Sequence, residues 1–376
     1  MQAEHEKRNH SGRTGRKMNR RIFRTGRILL LILVLTNSTL ATERTITGPV
    51  FSPQQAGELI VENLLSREHM FYGEEALHYS EAATAVGALR FASSTNNQTM
   101  LEGLVARYTA LLDNDSDLIS RRPHVDMNVI GIVPLQIAIL TGDPDQLRQG
   151  LSFADSQWEE PLENGLTNQT RWWIDDLYMV GMLQIQAYRA TSNPKYADRA
   201  ARQLAAYLPK LQQESGLFHH SPDVPVFWGR GNGWVAVALA EVLSSLPAEH
   251  EQRPQLLKHY RAMMRSLLTF QDDSGMWRQV IDHEPSWTES SATAMFAYAM
   301  LQGIKHDLLK DEPYQAAVNK AWSALTALID ADGNVQEVCV GTGKKNDLDY
   351  YLARPRITGD FHGQAPVLWL ADGLVR

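Results

Sequence analysis

The chain has 376 residues, 44% of them hydrophobic and 21% charged, a composition that argues for a packed globular body and against disorder. Lys and Arg number 36 against 43 Asp and Glu, and the imbalance is uneven: residues 1–41 hold nine basic residues and two acids, leaving 27 basic against 41 acidic in the remainder. A body this acidic repels phosphate backbones, so no nucleic-acid partner is expected, and an acidic ligand would need a local cation in its pocket. The single cysteine, Cys339, rules out an internal disulfide and a cysteine-rich zinc site.

The first 41 residues read as an address. A basic stretch to Arg27 precedes the apolar run Ile28–Leu35, and a polar segment then leads to Ala41 at a plausible cleavage point. Eight apolar residues fall short of the roughly 20 that span a bilayer. An exported protein, periplasmic or secreted, with no membrane span after cleavage is expected; an uncleaved anchor is the alternative, and Met18 offers another start. Residues 42–376 are expected to form a single domain.

Helical apolar spacing recurs through that body, over roughly 54–66, 76–96, 98–113, 129–141, 144–156, 173–191, 194–213, 232–246, 252–271, 288–307, 312–330 and 363–375. No run of alternating β-branched residues suggests a major sheet. Gln213–Phe218 resembles Gln271–Trp277, with a weaker third copy at Asp330–Val335, and their glycines, Gly216, Gly275 and Gly333, stand 59 and 58 residues apart. Each follows a helical segment, where glycine tolerates the left-handed conformation that ends a helix. A fixed period of this kind marks a repeated unit. About twelve helices in hairpins with one recurring loop suit an all-α (α/α)6 barrel, six inner helices ringed by six outer ones; an irregular helical solenoid fits the same pattern.

Four segments carry candidate chemistry. In Thr170–Met179, Asp175 and Asp176 stand in the first turn of an apolar helix after Trp172 and Trp173. Such carboxylates are favoured there by the helix dipole alone; one of them can also line a tryptophan-walled pocket, where burial raises and the dipole lowers its pKa. Asp126, before the helix 129–141, serves equally as a cap. In the third segment His219, His220 and Asp223 precede Trp228-Gly229-Arg230-Gly231-Asn232-Gly233-Trp234. Three glycines suggest a loop that approaches a ligand, Arg230 a fork for a carboxylate, and Trp228 and Trp234 flat faces for sugar rings; a glycine-rich turn with core tryptophans is the alternative. The fourth segment offers Trp277 and Trp287 as sugar platforms. The histidines lack metal-ligand spacing, so no metal is expected. No GxSxG, HExxH, P-loop or dinucleotide fingerprint occurs, and no cofactor is expected.

The ordered set His-Val-Asp (124–126), Arg-Trp-x-x-Asp-Asp-x-x-Met (171–179), Gly-Leu-Phe-x-His (216–220), Trp-Gly-Arg-Gly-Asn-Gly-Trp (228–234), Trp-Thr-Glu-Ser-Ser-Ala (287–292) and Asp-Phe-His-Gly (360–363) resembles the unsaturated rhamnogalacturonyl hydrolases, glycoside hydrolase family 105, related to the family 88 unsaturated glucuronyl hydrolases. The resemblance covers roughly 55–375 and implies an (α/α)6 barrel. It implies an enzyme that hydrates the C4=C5 bond of a terminal unsaturated uronic acid, rather than one that displaces at the anomeric carbon. By the same resemblance Asp175 is the general acid/base and Asp126 the second essential carboxylate. His220 matches a pocket histidine, and Trp228, Arg230 and Trp234 match positions that contact the uronate; Trp172 and Trp287 are added from the aromatic reading as candidates for binding the unsaturated oligosaccharide. After His220 the chain reads Ser-Pro-Asp where many relatives carry an aromatic next to Asp, which leaves the leaving-sugar subsite open. A glucuronide-specific hydrolase or uronate lyase on the same fold, and a non-catalytic glycan-binding toroid, are the competing readings.

Overall fold

The computed structural model describes residues 51–376 other than 74, 75, 121 and 311; the expected leader, residues 1–41, lies outside them. The α-helices run in the order α1 (Pro53–Ser66), α2 (Tyr79–Ser94), α3 (Gln98–Arg107), α4 (Val125–Asn128), α5 (Ile132–Thr141), α6 (Pro144–Ser156), α7 (Asp176–Thr191), α8 (Pro194–Leu211), α9 (Gly229–Ser245), α10 (Arg253–Phe270), α11 (Ser290–Lys305), α12 (Glu312–Thr326), α13 (Leu348–Leu352) and α14 (Phe361–Val375). Strands β1 (Val338–Cys339) and β2 (Arg356–Ile357) pair antiparallel on either side of α13.

Local chemistry sets many of the starts. Ser52 and Gln55 form a capping box around Pro53 at the head of α1, and Asp143-Pro144 and Asn193-Pro194 start α6 and α8 the same way, with a side-chain acceptor followed by a residue that has no N–H to satisfy. Burial then sorts the helices. α9 is buried continuously from Gly229 to Leu243 and α14 from Phe361 to Gly373. By contrast α10 buries only the stripe of Leu256, Tyr260, Met263, Met264, Ser266 and Leu267. The fully buried set is the inner ring: α2, α5, α7, α9, α11 and α14 pack each on the next, and α14 packs back on α2. Their partners α3, α6, α8, α10, α12 and α1 cover the outside, so the fold is the expected (α/α)6 barrel.

The glycine repeat is the device that joins successive hairpins. Gly216, Gly275 and Gly333 have φ of +90°, +90° and +75°. Each N–H donates to the carbonyl three residues earlier, of Gln213, Asp272 and Asp330. A Cβ on Gly216 would meet the Ala262 carbonyl of α10 at 2.7 Å and one on Gly275 the Lys320 carbonyl of α12 at 2.6 Å. On Gly333 it would strike the Leu59 carbonyl of α1, so the third copy closes the ring onto its first helix.

One sequence expectation needs correction. The glycines around Arg230 do not form a loop; they are the opening turns of α9. They are small because neighbours lie against them: a Cβ on Gly229 would sit 2.8 Å from the Arg278 carbonyl, and one on Gly231 2.7 Å from Ile174 Cγ2. Packing overrides the poor helix propensity of glycine here.

Candidate active site

The ring sets the inner-helix N-termini at one mouth; Asp175 before α7, Trp228 before α9, Glu289 before α11 and Asp360 before α14 come from the motifs read above, and His78 before α2 lies outside them. Helix N-termini carry partial positive charge, so a mouth built from them favours an anion despite the acidic body.

Asp126 and the Asp175-Asp176 pair meet here through a residue that the sequence reading quoted but gave no role, Arg171. Its Nη1 and Nη2 donate to the two oxygens of Asp126 at 2.9 and 3.1 Å, and its Nε donates to Asp176 Oδ1 at 2.7 Å. Asp176 also accepts from the backbone N–H groups of Arg171 and Trp173 and from the Tyr207 hydroxyl. It is a structural anchor. Asp126 is not a cap either: His124 Nδ1 takes that part at α4, accepting from the Asp126 N–H.

Asp175 is different. It makes no capping bond, is 8% exposed, and its Oδ2 has no hydrogen-bond partner in the protein. His220 Nε2, also unpartnered, lies 3.6 Å from it. On the other side of the ring, His220 Nδ1 meets the Tyr351 hydroxyl at 2.5 Å, and that hydroxyl accepts from the Lys345 N–H. Where the tyrosine proton is donated to Nδ1, a proton on Nε2 faces Asp175. Burial pushes the Asp175 carboxyl up, but His220, then Arg171 and Arg230, more than offset it and hold it below the ordinary value. Before substrate binds, Asp175 is therefore an anion.

Arg230 is 1% exposed, its guanidinium over the Trp228 ring at 4.9 Å. Its two terminal nitrogens donate to the carbonyls of Cys339 and Val340 at 2.5 and 2.8 Å, while Nε has no partner. Each terminal nitrogen thus gives one of its two protons to the β1 segment, and Arg230 reaches the pocket as a buried charge whose Nε has no partner. Trp228 stacks on His220 at 4.8 Å, and Trp234 packs on Tyr178 and Trp369; both are buried, so they offer indole N–H groups, each unpartnered, rather than open ring faces. Buried polar atoms are ordinarily paired. Asp175 Oδ2, His220 Nε2, Trp228 Nε1, Arg230 Nε and Trp234 Nε1 all lack a protein partner, a set of donors and acceptors suited to a polar ligand.

The remaining aromatics divide. Trp172, at φ +60°, lies against Tyr207 at 4.6 Å, and Trp287 is covered by the Arg356 guanidinium at 4.6 Å. Trp173, which the reading left unassigned, stands edge-on to His220 at 5.9 Å, with Arg171 and Lys344 over its faces. His219 packs on Phe227. Sequence reasoning also missed Tyr79, whose phenol lies in the fields of Asp126, Asp175 and Arg230. A tyrosine one residue inside a helix start carries no signature of its own; only the ring brings it here. Among the described residues no cluster of His, Cys, Asp and Glu suits a metal ion.

The profile of Glycosyl Hydrolase Family 88 matches residues 55–376. The chain belongs to that family and is a glycoside hydrolase of the unsaturated glycuronyl type, with an unsaturated uronic-acid oligosaccharide as its substrate class. It is 26% identical over 303 residues to an unsaturated 3S-rhamnoglycuronyl hydrolase of an Alteromonas species, covering 73% of each chain. It is 29% identical over 212 residues to the unsaturated rhamnogalacturonyl hydrolase YesR of Bacillus subtilis, covering 54% of this chain and 59% of that one. A crystal structure described as a possible member of the GH105 family, from Salmonella enterica, superposes with a TM-score of 0.77 at 20% identity, over 87% of this chain and 95% of that one, and supports the fold.

Proposed function

We propose that this enzyme removes 4,5-unsaturated galacturonic acid from the non-reducing end of rhamnogalacturonan fragments by hydrating the C4=C5 bond. One observation carries the choice of chemistry: of the two aspartates Asp175 and Asp126, Asp175 keeps a buried oxygen without a partner, whereas both oxygens of Asp126 are taken by Arg171. Displacement at an anomeric carbon needs two working carboxyl groups. Hydration of an enol ether needs one proton donor and a water. The uronate brings a negative charge beside Asp175 and displaces water from around it; both raise its pKa and load it with a proton when substrate binds. Asp175 then passes that proton to C4, water adds at C5, and the resulting hemiketal opens and expels the remaining saccharide. His220, Arg230 and the indoles of Trp228 and Trp234 bind and orient the uronate; Asp126, through Arg171, fixes the Trp173–Asp176 turn.

A second reading, a 3S-rhamnoglycuronide as in the Alteromonas relative's name, is favoured by Lys344. Its ammonium lies 5.9 Å from the Trp173 ring and pairs with the exposed Asp223, a cation suited to an anionic group on the leaving sugar. The test is a panel of lyase-made disaccharides, unsaturated galacturonyl- and glucuronyl-terminated, with neutral and sulfated leaving sugars, followed by ultraviolet absorbance and product analysis. Fastest loss of the double bond from the unsaturated galacturonyl-rhamnose supports the pectin reading. Preference for a sulfated rhamnose supports the second, and growth of the absorbance from an intact polymer would mean lyase action.

We place the enzyme outside the cytoplasm on the strength of the basic leader and Ile28–Leu35. N-terminal sequencing of the exported protein should begin just after Ala41; a full-length chain retained in the membrane fraction contradicts this.

A further inference from the structure

Two buried ionisable side chains at the same mouth take no part in the mechanism above. Asp360, the cap of α14, accepts from the backbone N–H of His362 at 2.8 Å. The same oxygen receives His362 Nδ1 at 2.6 Å. A cap requires only the first of these bonds. A carboxylate only accepts, so Nδ1 is the donor in the second bond, which leaves Nε2 facing outward. That nitrogen meets the Tyr79 hydroxyl, 283 residues away in sequence, at 2.8 Å. His362 is 1% exposed and Asp360 9%, whereas Tyr79 is half-buried, its ring edge-on to Trp234 at 6.3 Å. Burial and then the charges of Asp126 and Asp175 hold the phenol well above its usual range, so Tyr79 keeps its proton in the resting enzyme. Its proton points to His362, and its remaining lone pair is left for a donor in the pocket. The neighbouring His78 cannot substitute: its Nδ1 accepts from Ser80, and burial, then His362, pushes its pKa down to about 3.

We infer that Asp360, His362 and Tyr79 form a relay that accepts the proton of the attacking water, with Tyr79 the catalytic residue and His362 and Asp360 positioning it. The step balances as follows. The Asp175 O–H bond breaks and its proton joins C4, using the π pair of C4=C5. The water oxygen bonds to C5 and gives one proton to Tyr79 Oη as the tyrosine's own proton moves to His362 Nε2. The enzyme is left with an Asp175 carboxylate and a His362 imidazolium stabilised by Asp360. The proton leaves to solvent, and Asp175 is reprotonated with the next substrate.

This inference rests on the hydration reading, so wild type, Asp175→Asn, Tyr79→Phe and Asp360→Asn are assayed together on an unsaturated galacturonyl disaccharide, with kcat and KM separated and proton inventories taken in mixed light and heavy water. Asn is as good a cap as Asp, so Asp360→Asn keeps the helix start and removes only the charge. The relay predicts kcat lower by about 100-fold in Tyr79→Phe, at the lower end of general acid–base effects. Asp360→Asn should lose at least about tenfold, both variants keeping KM and thermal midpoint, and the wild-type inventory should be curved but linear in Tyr79→Phe. Unchanged kcat in both variants while Asp175→Asn is dead overturns the relay and leaves the hydration reading intact. A wild type that never consumes the double bond overturns both.

Discussion

Arg171 is the residue whose importance is hardest to see in the chain and plainest in the fold. It neutralises Asp126 and Asp176, both buried, and Trp172 beside it is held at φ +60°, a conformation costing a bulky residue on the order of 1 kcal/mol or more. Removing one partner of such a network leaves uncompensated buried charge. Arg171→Ala should therefore lose roughly 3–5 kcal/mol in denaturant unfolding and most of its activity. A loss below about 1 kcal/mol, the range of a surface pair, would show that Arg171 is not the keystone of the turn. Asp175 makes a different prediction. His220, Arg171 and Arg230 outweigh burial and keep it ionised before substrate binds, and the substrate's carboxylate opposes them. Binding should draw in a proton near pH 5, above the ordinary aspartate value of about 3.9, so calorimetry in buffers of different ionisation enthalpy should show uptake by the wild type and none by Asp175→Asn. Equal traces in the two would remove the coupling.

At the scale of elements, the repeat was legible because a left-handed glycine leaves its mark whatever the neighbours do: Gly216, Gly275 and Gly333 do take positive φ, but in tight turns a few residues beyond α8, α10 and α12 rather than at the helix ends, where Gln212 and Gln271 cap α8 and α10 in extended conformation. Gly275→Ala forces a side chain into φ +90° and onto the Lys320 carbonyl, and should cost about 2 kcal/mol through strain. A thermal midpoint unchanged by that substitution would mean that the loop relaxes without the α12 contact. The start of α9 was not legible. Glycine is permissive by itself, and what makes Gly229 and Gly231 helical is the approach of Arg278 and Ile174, from segments far along the chain. The same distance in sequence hid the site's wiring. Asp126 and Arg171 are 45 residues apart and Tyr79 and His362 283, and nothing local announces either contact. Trp228 and Trp234 were legible as candidates by their place in the motifs, yet the use of their faces was not, since both spend them on other rings.

For the whole molecule, the barrel has two ends with separate tasks. The N-terminal ends of the inner helices hold the pocket. Near their C-terminal ends a cavity of about 420 Å³ is lined by Glu241, Arg90, Arg189 and Tyr298, drawn from α9, α2, α7 and α11. Glu241 accepts from both arginines at 2.7 and 2.6 Å and from the Tyr298 hydroxyl at 2.5 Å, so it ties four inner helices together. Burial pushes its carboxyl up, but Arg90 and Arg189 bring it far below the ordinary range. A carboxyl lowered on folding stabilises fully above its unfolded value of about 4.3, and that share is lost as pH falls from there toward the folded value. The melting temperature of the wild type should thus fall more steeply below about pH 4.3 than that of Glu241→Gln, which should be less stable at neutral pH; parallel curves would remove Glu241 from the account. The central claim concerns the other end, that Asp175 in a ring-built pocket delivers a proton to an unsaturated uronide. Its most direct test follows the enol-ether absorbance of an unsaturated galacturonyl-rhamnose disaccharide with wild type and Asp175→Asn, binding being measured in parallel. The account predicts loss of the signal with wild type, a kcat at least about 100-fold lower in the variant and retained binding. Turnover by Asp175→Asn within about tenfold of wild type would contradict it.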